Sequence, residues 1–314
     1  MLLKNQTLAL LLFTSAIIFL SFSKKEKEDP FFYKNIEKEM CLIPGEEMYV
    51  DSLLPSFRIC IGQQPKKIKI DSFYLSNHEV TNLEYRRFVL SILKEDYETY
   101  KRLLPDTACW NKNYDFLDQY IEWYFRHPAY NEYPVVGITQ EQAEAYCAWL
   151  TKKYMSIEKR KYKNLVFKLP TLNQWTYAAK GGIEAVLPFK NLKLADSRGV
   201  LQAHFRNINQ EDIQIEKDMV KINSDITSPY YQQGCWITIV NDPTYPSISL
   251  TPSHFKLYNL AGNVKEYIAE KGITKGGGWK DTGYFLQNFV CQTYDSTNTT
   301  SEDRGFRVAM EIIK

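Results

Sequence analysis

Six cysteines, four histidines and a lysine followed by three glycines are the residues here that invite a chemical reading. Cys41, Cys60, Cys109, Cys147, Cys235 and Cys291 form an even set with no CxxC spacing and no paired His spacing. A zinc site is therefore not indicated. Six cysteines allow roughly fifteen complete pairings, and the sequence does not choose among them. Cys147 falls on an apolar helix stripe, which reads as a buried free thiol. His78, His127, His204 and His254 show no metal-binding helical spacing and read as satisfied surface or turn residues. His127 precedes Pro128, which favours an extended loop backbone. Lys275-Gly276-Gly277-Gly278 lacks the order of a phosphate-binding loop and no apolar helix follows it. No G-x-S-x-G nucleophile elbow is present.

Three helix starts use one device. Thr81-Asn82-Leu83-Glu84, Thr139-Gln140-Glu141-Gln142 and Thr171-Leu172-Asn173-Gln174 all read T-x-x-E/Q. The Thr hydroxyl can accept from a first-turn amide while the Glu or Gln reaches back to the Thr amide. Apolar residues then recur at helical spacing: Tyr85, Phe88, Val89, Ile92 and Leu93; Ala143, Tyr146, Cys147 and Leu150; Trp175, Ala178 and Ala179. Gly181-Gly182 stops the third helix. Lys67–Asp71 alternates like a half-buried strand. A Tyr- and Trp-rich insert at 98–130 carries a short helix over 113–126, and residues 183–256 read as loops with short strands. Seven of the 14 glycines lie after residue 255, signalling tight turns and close backbone approach. The pattern predicts an α+β, loop-rich, single domain.

Leu8–Leu20 is an apolar run preceded by Lys4 and followed by Ser21-Phe22-Ser23, the layout of a cleaved export signal. It is short for a membrane span of about 20 residues. The expected organisation is a signal peptide at 1–23, a charged linker at 24–39 and a domain at 40–314. The chain is then exported and periplasmic. It is not a lipoprotein by its own sequence, since the first cysteine is Cys41. Export permits disulfides. With 39 Lys+Arg against 37 Asp+Glu, the net charge of +2 gives no basic stripe for nucleic acid. The 44% hydrophobic and 24% charged composition is that of an ordinary globular chain.

Six blocks, in order, carry a resemblance. They are Phe73-Tyr74-Leu75 with Glu79-Val80-Thr81-Asn82; Tyr133-Pro134-Val135-Val136-Gly137 with Ala145-Tyr146-Cys147 and Trp149; and Leu169-Pro170-Thr171 with Trp175 and Tyr177-Ala178-Ala179. Asn259–Glu266, Lys275–Trp279 and Gly305-Phe306-Arg307 follow. Together they resemble the formylglycine-generating enzyme (sulfatase-modifying factor) family over roughly residues 40–312. The segments Leu104–Thr107, Trp110 and Tyr124–Gly137 resemble its Bacteroidota branch, the GldK/GldJ/PorK-like proteins of gliding motility and type IX secretion. The resemblance implies a variant of the C-type lectin fold. It also implies protein partners in a secretion or gliding complex, an oligomeric ring and peripheral association with the outer membrane.

Active members of that family oxidise a substrate cysteine with copper held by two thiolates, because soft sulfur selects Cu(I). In register from Gly278 those two positions hold Asp281 and Leu286. No copper and no catalytic residue are therefore expected, and Cys291 reads as structural. The family also binds calcium through N-x-x-G-x-[AV]-x-E, which Asn259, Gly262, Val264 and Glu266 match. A second family calcium site resembles His204–Ile208, with Asn207 and Ile208 as ligands and Asp242 as a guess for the downstream partner. Three functions follow: a non-catalytic exported scaffold, an enzyme of the same superfamily with different chemistry, or a lectin-like glycan- or peptide-binding module.

Overall fold

Each of the three threonines that open a predicted helix makes its capping box. Thr81 caps α1 (Asn82–Leu93) with Glu84 at the third position. After α2 (Tyr97–Leu103) and α3 (Asp118–Trp123), Thr139 caps α4 (Gln140–Met155) with Gln142, and Thr171 caps α5 (Leu172–Lys180) with Gln174. In each box the Thr hydroxyl accepts from the third-residue amide while that residue's side chain accepts from the Thr amide, so orphan donors are satisfied on both sides. Tyr85, Phe88 and Val89 are buried as their spacing predicts, as are Ala143, Tyr146, Cys147 and Leu150. Trp175, Ala178 and Ala179 are buried too, and Gly181 ends α5 with a φ of 67°. Ile92 and Leu93 stay half-exposed, because α1 has left the core by its last turn.

These elements come from a computed structural model that describes residues 36–50, 66–110, 118–181, 187–189, 193–206, 243–295 and 300–313. The chain divides into a unit of residues 1–38 and a unit of residues 39–314. Residues 1–23, expected to be an export signal, and most of the expected linker at 24–39 lie outside the described residues. So do Asn207, Ile208 and Asp242, the residues of the expected second calcium site. Among the described residues no helix is long and apolar enough to cross a membrane.

The strands are β1 (Met40–Ile43), β2 (Glu46–Val50), β3 (Lys66–Ile70), β4 (Phe73–Ser76), β5 (Leu165–Lys168), β6 (Lys265–Tyr267), β7 (Ile273–Lys275), β8 (Gln292–Thr293), β9 (Arg304–Phe306) and β10 (Ala309–Ile312). The first sheet has the order β1-β4-β10-β5 and is antiparallel throughout. A second runs β8-β7-β6-β9, with β6 and β9 parallel, and β2 pairs with β3 alone. The strand expected at 67–71 is β3. The helix expected over 113–126 is described only as α3. Among the described residues between 183 and 256 only isolated bridges form, Ala195 with Leu201 and His204 with Gly262.

The main core joins the two halves of the sequence. Ile43, Phe73 and Leu75 pack in one cluster with Trp175, Ala178, Leu260, Ile268 and Ala309. A second cluster gathers Cys109, Trp110, Tyr124, Val264 and Trp279, with Tyr120, Tyr130 and Tyr133 against it. Trp110 stacks on Tyr120 at 5.0 Å and meets Tyr124 tilted, with centroids 4.8 Å apart. Part of the high aromatic content therefore serves this insert.

A polar centre behind the glycine turns

The turn between Asn259 and Glu266 is held in shape by backbone contacts. Asn259, Gly262 and Asn263 all have positive φ, at 50°, 84° and 65°. Gly262 is required by space as well as by dihedral, since a Cβ there would lie 2.2 Å from the His204 carbonyl oxygen. The Gly262 amide donates to the Gly276 carbonyl, the Asn263 amide to the His204 carbonyl and the Trp279 amide to the Asn263 carbonyl. One turn thus clasps the loop before β8 and the segment around His204.

Glu266 is fully buried beneath this turn, and so is Arg307 from the link between β9 and β10. Arg307 Nε donates to both carboxylate oxygens at 2.8 Å, and Nη2 donates to Oε1 at 2.6 Å. Trp175 Nε1 donates to Oε2 at 2.6 Å. The remaining guanidinium donors reach the carbonyls of Ser76 and Tyr258. Glu79, also fully buried, accepts from Asn259 Nδ2 and Asn263 Nδ2 at 3.0 to 3.1 Å. Burial pushes the Glu79 carboxyl up to about 8. The Arg307 charge and the two amides oppose this, while the Glu266 charge adds to it.

The pattern that suggests calcium is therefore built differently. A carboxylate offers about four acceptor positions, and those of Glu266 are taken by Arg307 and Trp175. The Asn259 amide nitrogen spans Glu79 and the carbonyls of Pro246 and Ser247, while its oxygen accepts from Ser249 Oγ at 3.3 Å. Val264 is buried against Trp279. As placed, this donor set does not fit a calcium ion, because Glu266 serves as the counter-charge of Arg307.

Asp281 and Leu286, at the two positions where the resemblance would place thiols, each have a structural use. Asp281 Oδ2 accepts from the Gly278 amide at 2.7 Å, and Oδ1 accepts from Gln292 Nε2 at 2.8 Å. Lys265 lies 3.5 Å from Asp281 and 2.8 Å from Asp303. Burial works against the Lys265 charge, but the two carboxylates outweigh it and hold its pKa above the usual lysine value. Leu286 is 0% exposed and packs with Phe189, Ala203, Phe205 and Ala261. Cys291 is in a disulfide, which agrees with its structural reading. Cys41, Cys109 and Cys147 keep reduced thiols, and burial pushes the Cys147 thiol well up.

Lys275 is the unexpected group. It is buried beneath the Trp175 ring, with Nζ 5.1 Å from the ring centroid, and donates to the carbonyls of Asn288 and Val290. Burial, helped by the like charge of Lys180, pushes its amine down to about 7. The glycines after it serve packing, not phosphate binding: a Cβ on Gly277 would lie 2.9 Å from Leu286 Cδ2. An open depression of about 530 Å³ elsewhere is lined by Arg102, Asp106, Glu141 and Thr300, and holds no residue of this centre.

The family model of the sulfatase-modifying factor enzyme 1-like domain matches residues 30–312. The chain belongs to this family. The mouse formylglycine-generating enzyme is 22% identical over 302 residues, covering 80% of this chain and 69% of its own length. The cattle protein named inactive C-alpha-formylglycine-generating enzyme 2 is 23% identical over 308 residues, covering 86% and 87%. The structure of PvdO from Pseudomonas aeruginosa superposes with a TM-score of 0.53 at 16% identity, covering 87% of this chain and 94% of that one. That likeness concerns the fold alone. As a sulfatase-modifying factor-like domain, the chain keeps mixed helix and strand content.

Two histidines depart from expectation. His78 and His204 are buried, not surface residues. The His204 ring stacks on Tyr245 with centroids 3.9 Å apart. His78 lies with Glu39 and Glu84 in a group whose potential ligand atoms all fall within 4.8 Å of one another. Sequence spacing missed this group because its members come from three elements. The one available signal was an acidic residue just before β1 facing a histidine just after β4.

Proposed function

We propose that this chain is a non-catalytic member of its family. In this reading it is an exported structural component of the gliding and type IX secretion kind, built on a C-type-lectin-like domain. The observation that supports it most is the pair of positions 281 and 286. One holds a carboxylate that clasps the Gly278 loop, and the other a leucine sealed in the core. Neither can present a thiolate to copper, and soft sulfur is what Cu(I) requires. A relative whose name calls it inactive is compatible with the same loss. Exposed aromatic residues such as Tyr97 and Trp123 suit protein contacts, where aromatics are enriched.

The purified chain, loaded with Cu(I) and given a cysteine-containing sulfatase peptide, is expected to retain no stoichiometric copper and to form no aldehyde. Turnover would overturn the non-catalytic reading. Deletion in the host is expected to impair secretion or gliding, and a tagged chain to co-purify with a ring-forming partner. Intact secretion after deletion would remove the assembly while leaving the loss of catalysis standing. Specific binding of a glycan by the isolated domain would favour the lectin-like alternative.

A further inference from the structure

Glu39, His78 and Glu84 converge from three places in the fold. Glu39 directly precedes β1, His78 follows β4, and Glu84 lies in the first turn of α1. The convergence is built in by backbone. The Met40–Ser76 pairing aligns β1 with β4, and the Asn77 amide donates to the Glu39 carbonyl at 2.8 Å. The Thr81 amide and hydroxyl both donate to Glu84 Oε2, which fixes that carboxylate. The side chains of His78 and Glu84 are 7% and 15% exposed.

The tautomer of His78 follows from its neighbours. Nδ1 lies 2.5 Å from Asn77 Oδ1, an acceptor, so Nδ1 carries a proton. Nε2 then faces Glu84 Oε2 at 3.4 Å. That is longer than the roughly 2.7–2.9 Å of a charge-assisted hydrogen bond. Two donors each about 2.1 Å from a tetrahedral zinc ion stand about 3.4 Å apart. The separation thus matches that of two ligands of one ion as well as that of a loose ion pair. A ring nitrogen oriented by a hydrogen bond from the other is the usual arrangement of a metal-bound histidine.

Charge points the same way. The Glu39 carboxylate makes no hydrogen bond to the described residues, and Glu84 Oε1 takes none. Glu132 adds a third negative charge near Glu39. Arg87 acts on Glu39, and Arg307 acts on His78, but Arg307 is already paired with Glu266.

We propose that Glu39, His78 and Glu84 bind one divalent cation of the zinc class, with water in the fourth position. One imidazole and two carboxylates suit such an ion, whereas copper(I) would want sulfur. The ion would tie the start of β1 to the turn that opens α1, a structural clasp.

Titration of the full chain with zinc chloride, followed by calorimetry and metal analysis, tests this. One equivalent should bind, and the melting temperature should rise with zinc and fall with chelator. Glu39→Gln keeps the side chain's size and breaks no hydrogen bond to the described residues, so it should fold while weakening zinc at least tenfold. His78→Gln should do the same. Cobalt(II) in place of zinc should show d–d absorption without a thiolate charge-transfer band, which separates this site from the reduced cysteines. Substoichiometric binding, equal affinity in Glu39→Gln, or a thiolate band would each overturn the proposal. If the 3.4 Å contact is an imidazolium–carboxylate pair instead, zinc will not bind and the melting temperature will ignore chelator.

Discussion

Arg307 and Glu266 form an ion pair in which neither side chain reaches solvent, at 0% and 1% exposure with a closest contact of 2.6 Å. The two residues lie 41 positions apart and join the β9–β10 link to β6. Such pairs are costly to desolvate and costlier still to break on one side. Arg307 also donates to the carbonyls of Ser76 and Tyr258, so its loss would orphan groups on three segments.

Removing either partner alone should therefore be severe. Glu266→Gln or Arg307→Met is expected to cost about 3–5 kcal/mol, the usual penalty for an uncompensated buried charge. Urea denaturation measures it. The double variant should be less destabilised than the sum of the two singles. Additive losses would show that the pair is not coupled.

Calcium should leave the fold's stability unchanged. With Glu266 committed to Arg307 and Trp175, melting curves in calcium and in a calcium-selective chelator are expected to superimpose. A reproducible rise with calcium, lost in Asn259→Ala, would restore the site suggested by the N-x-x-G-x-V-x-E pattern.

Lys275 should imprint a pH dependence on stability. Its amine titrates near 7 in the folded chain against a usual value of 10.5. Between those limits the unfolded chain binds more protons than the folded one, so stability rises with pH in that window and is flat below it. The slope attributable to one such group is at most about 1.4 kcal/mol per pH unit. Lys275→Met should abolish this rise, even though it leaves the carbonyls of Asn288 and Val290 without a donor. Parallel pH profiles for parent and variant would contradict the depressed value.

Gly262→Ala should be poorly tolerated. The new methyl would meet the His204 carbonyl at 2.2 Å on a backbone with φ of 84°. Strained dihedrals of this kind alone cost about 1–3 kcal/mol, and the clash adds to that. Thermal melts should show a clear loss, whereas Gly199→Ala, with open space around it, should pay only for its positive φ.

Local signals were legible where physics is local. The threonine boxes at 81, 139 and 171 name their own hydrogen bonds, so the starts of α1, α4 and α5 could be read directly. The burial of Tyr146, Cys147 and Leu150 followed from spacing alone. The glycines at 262 and 277 announced close approach, but not what approaches. Nothing near Glu266 in the chain reveals that Arg307 and Trp175 fill its carboxylate, because those partners come from other elements. The His78 cluster stayed hidden for the same reason. Its members become neighbours only through the β1–β4 register and the cap of α1. Lys275 opened a segment that read only as tight glycine turns, and only packing shows it sealed under Trp175.

The position of β10 sets the order in which this domain can be completed. It lies between β4 and β5, so the strand nearest the end of the sequence occupies the interior of the first sheet. During vectorial synthesis, or passage through a pore with the N-terminus leading, β1 and β4 can pair early, but β5 gains its partner only after residue 312 has emerged. Until then Arg307 is also missing, and Glu266 has no counter-charge. The first sheet thus closes only when β10 arrives. A sheet that closes late exposes unpaired strand edges until its last strand arrives, the state in which aggregation competes with folding.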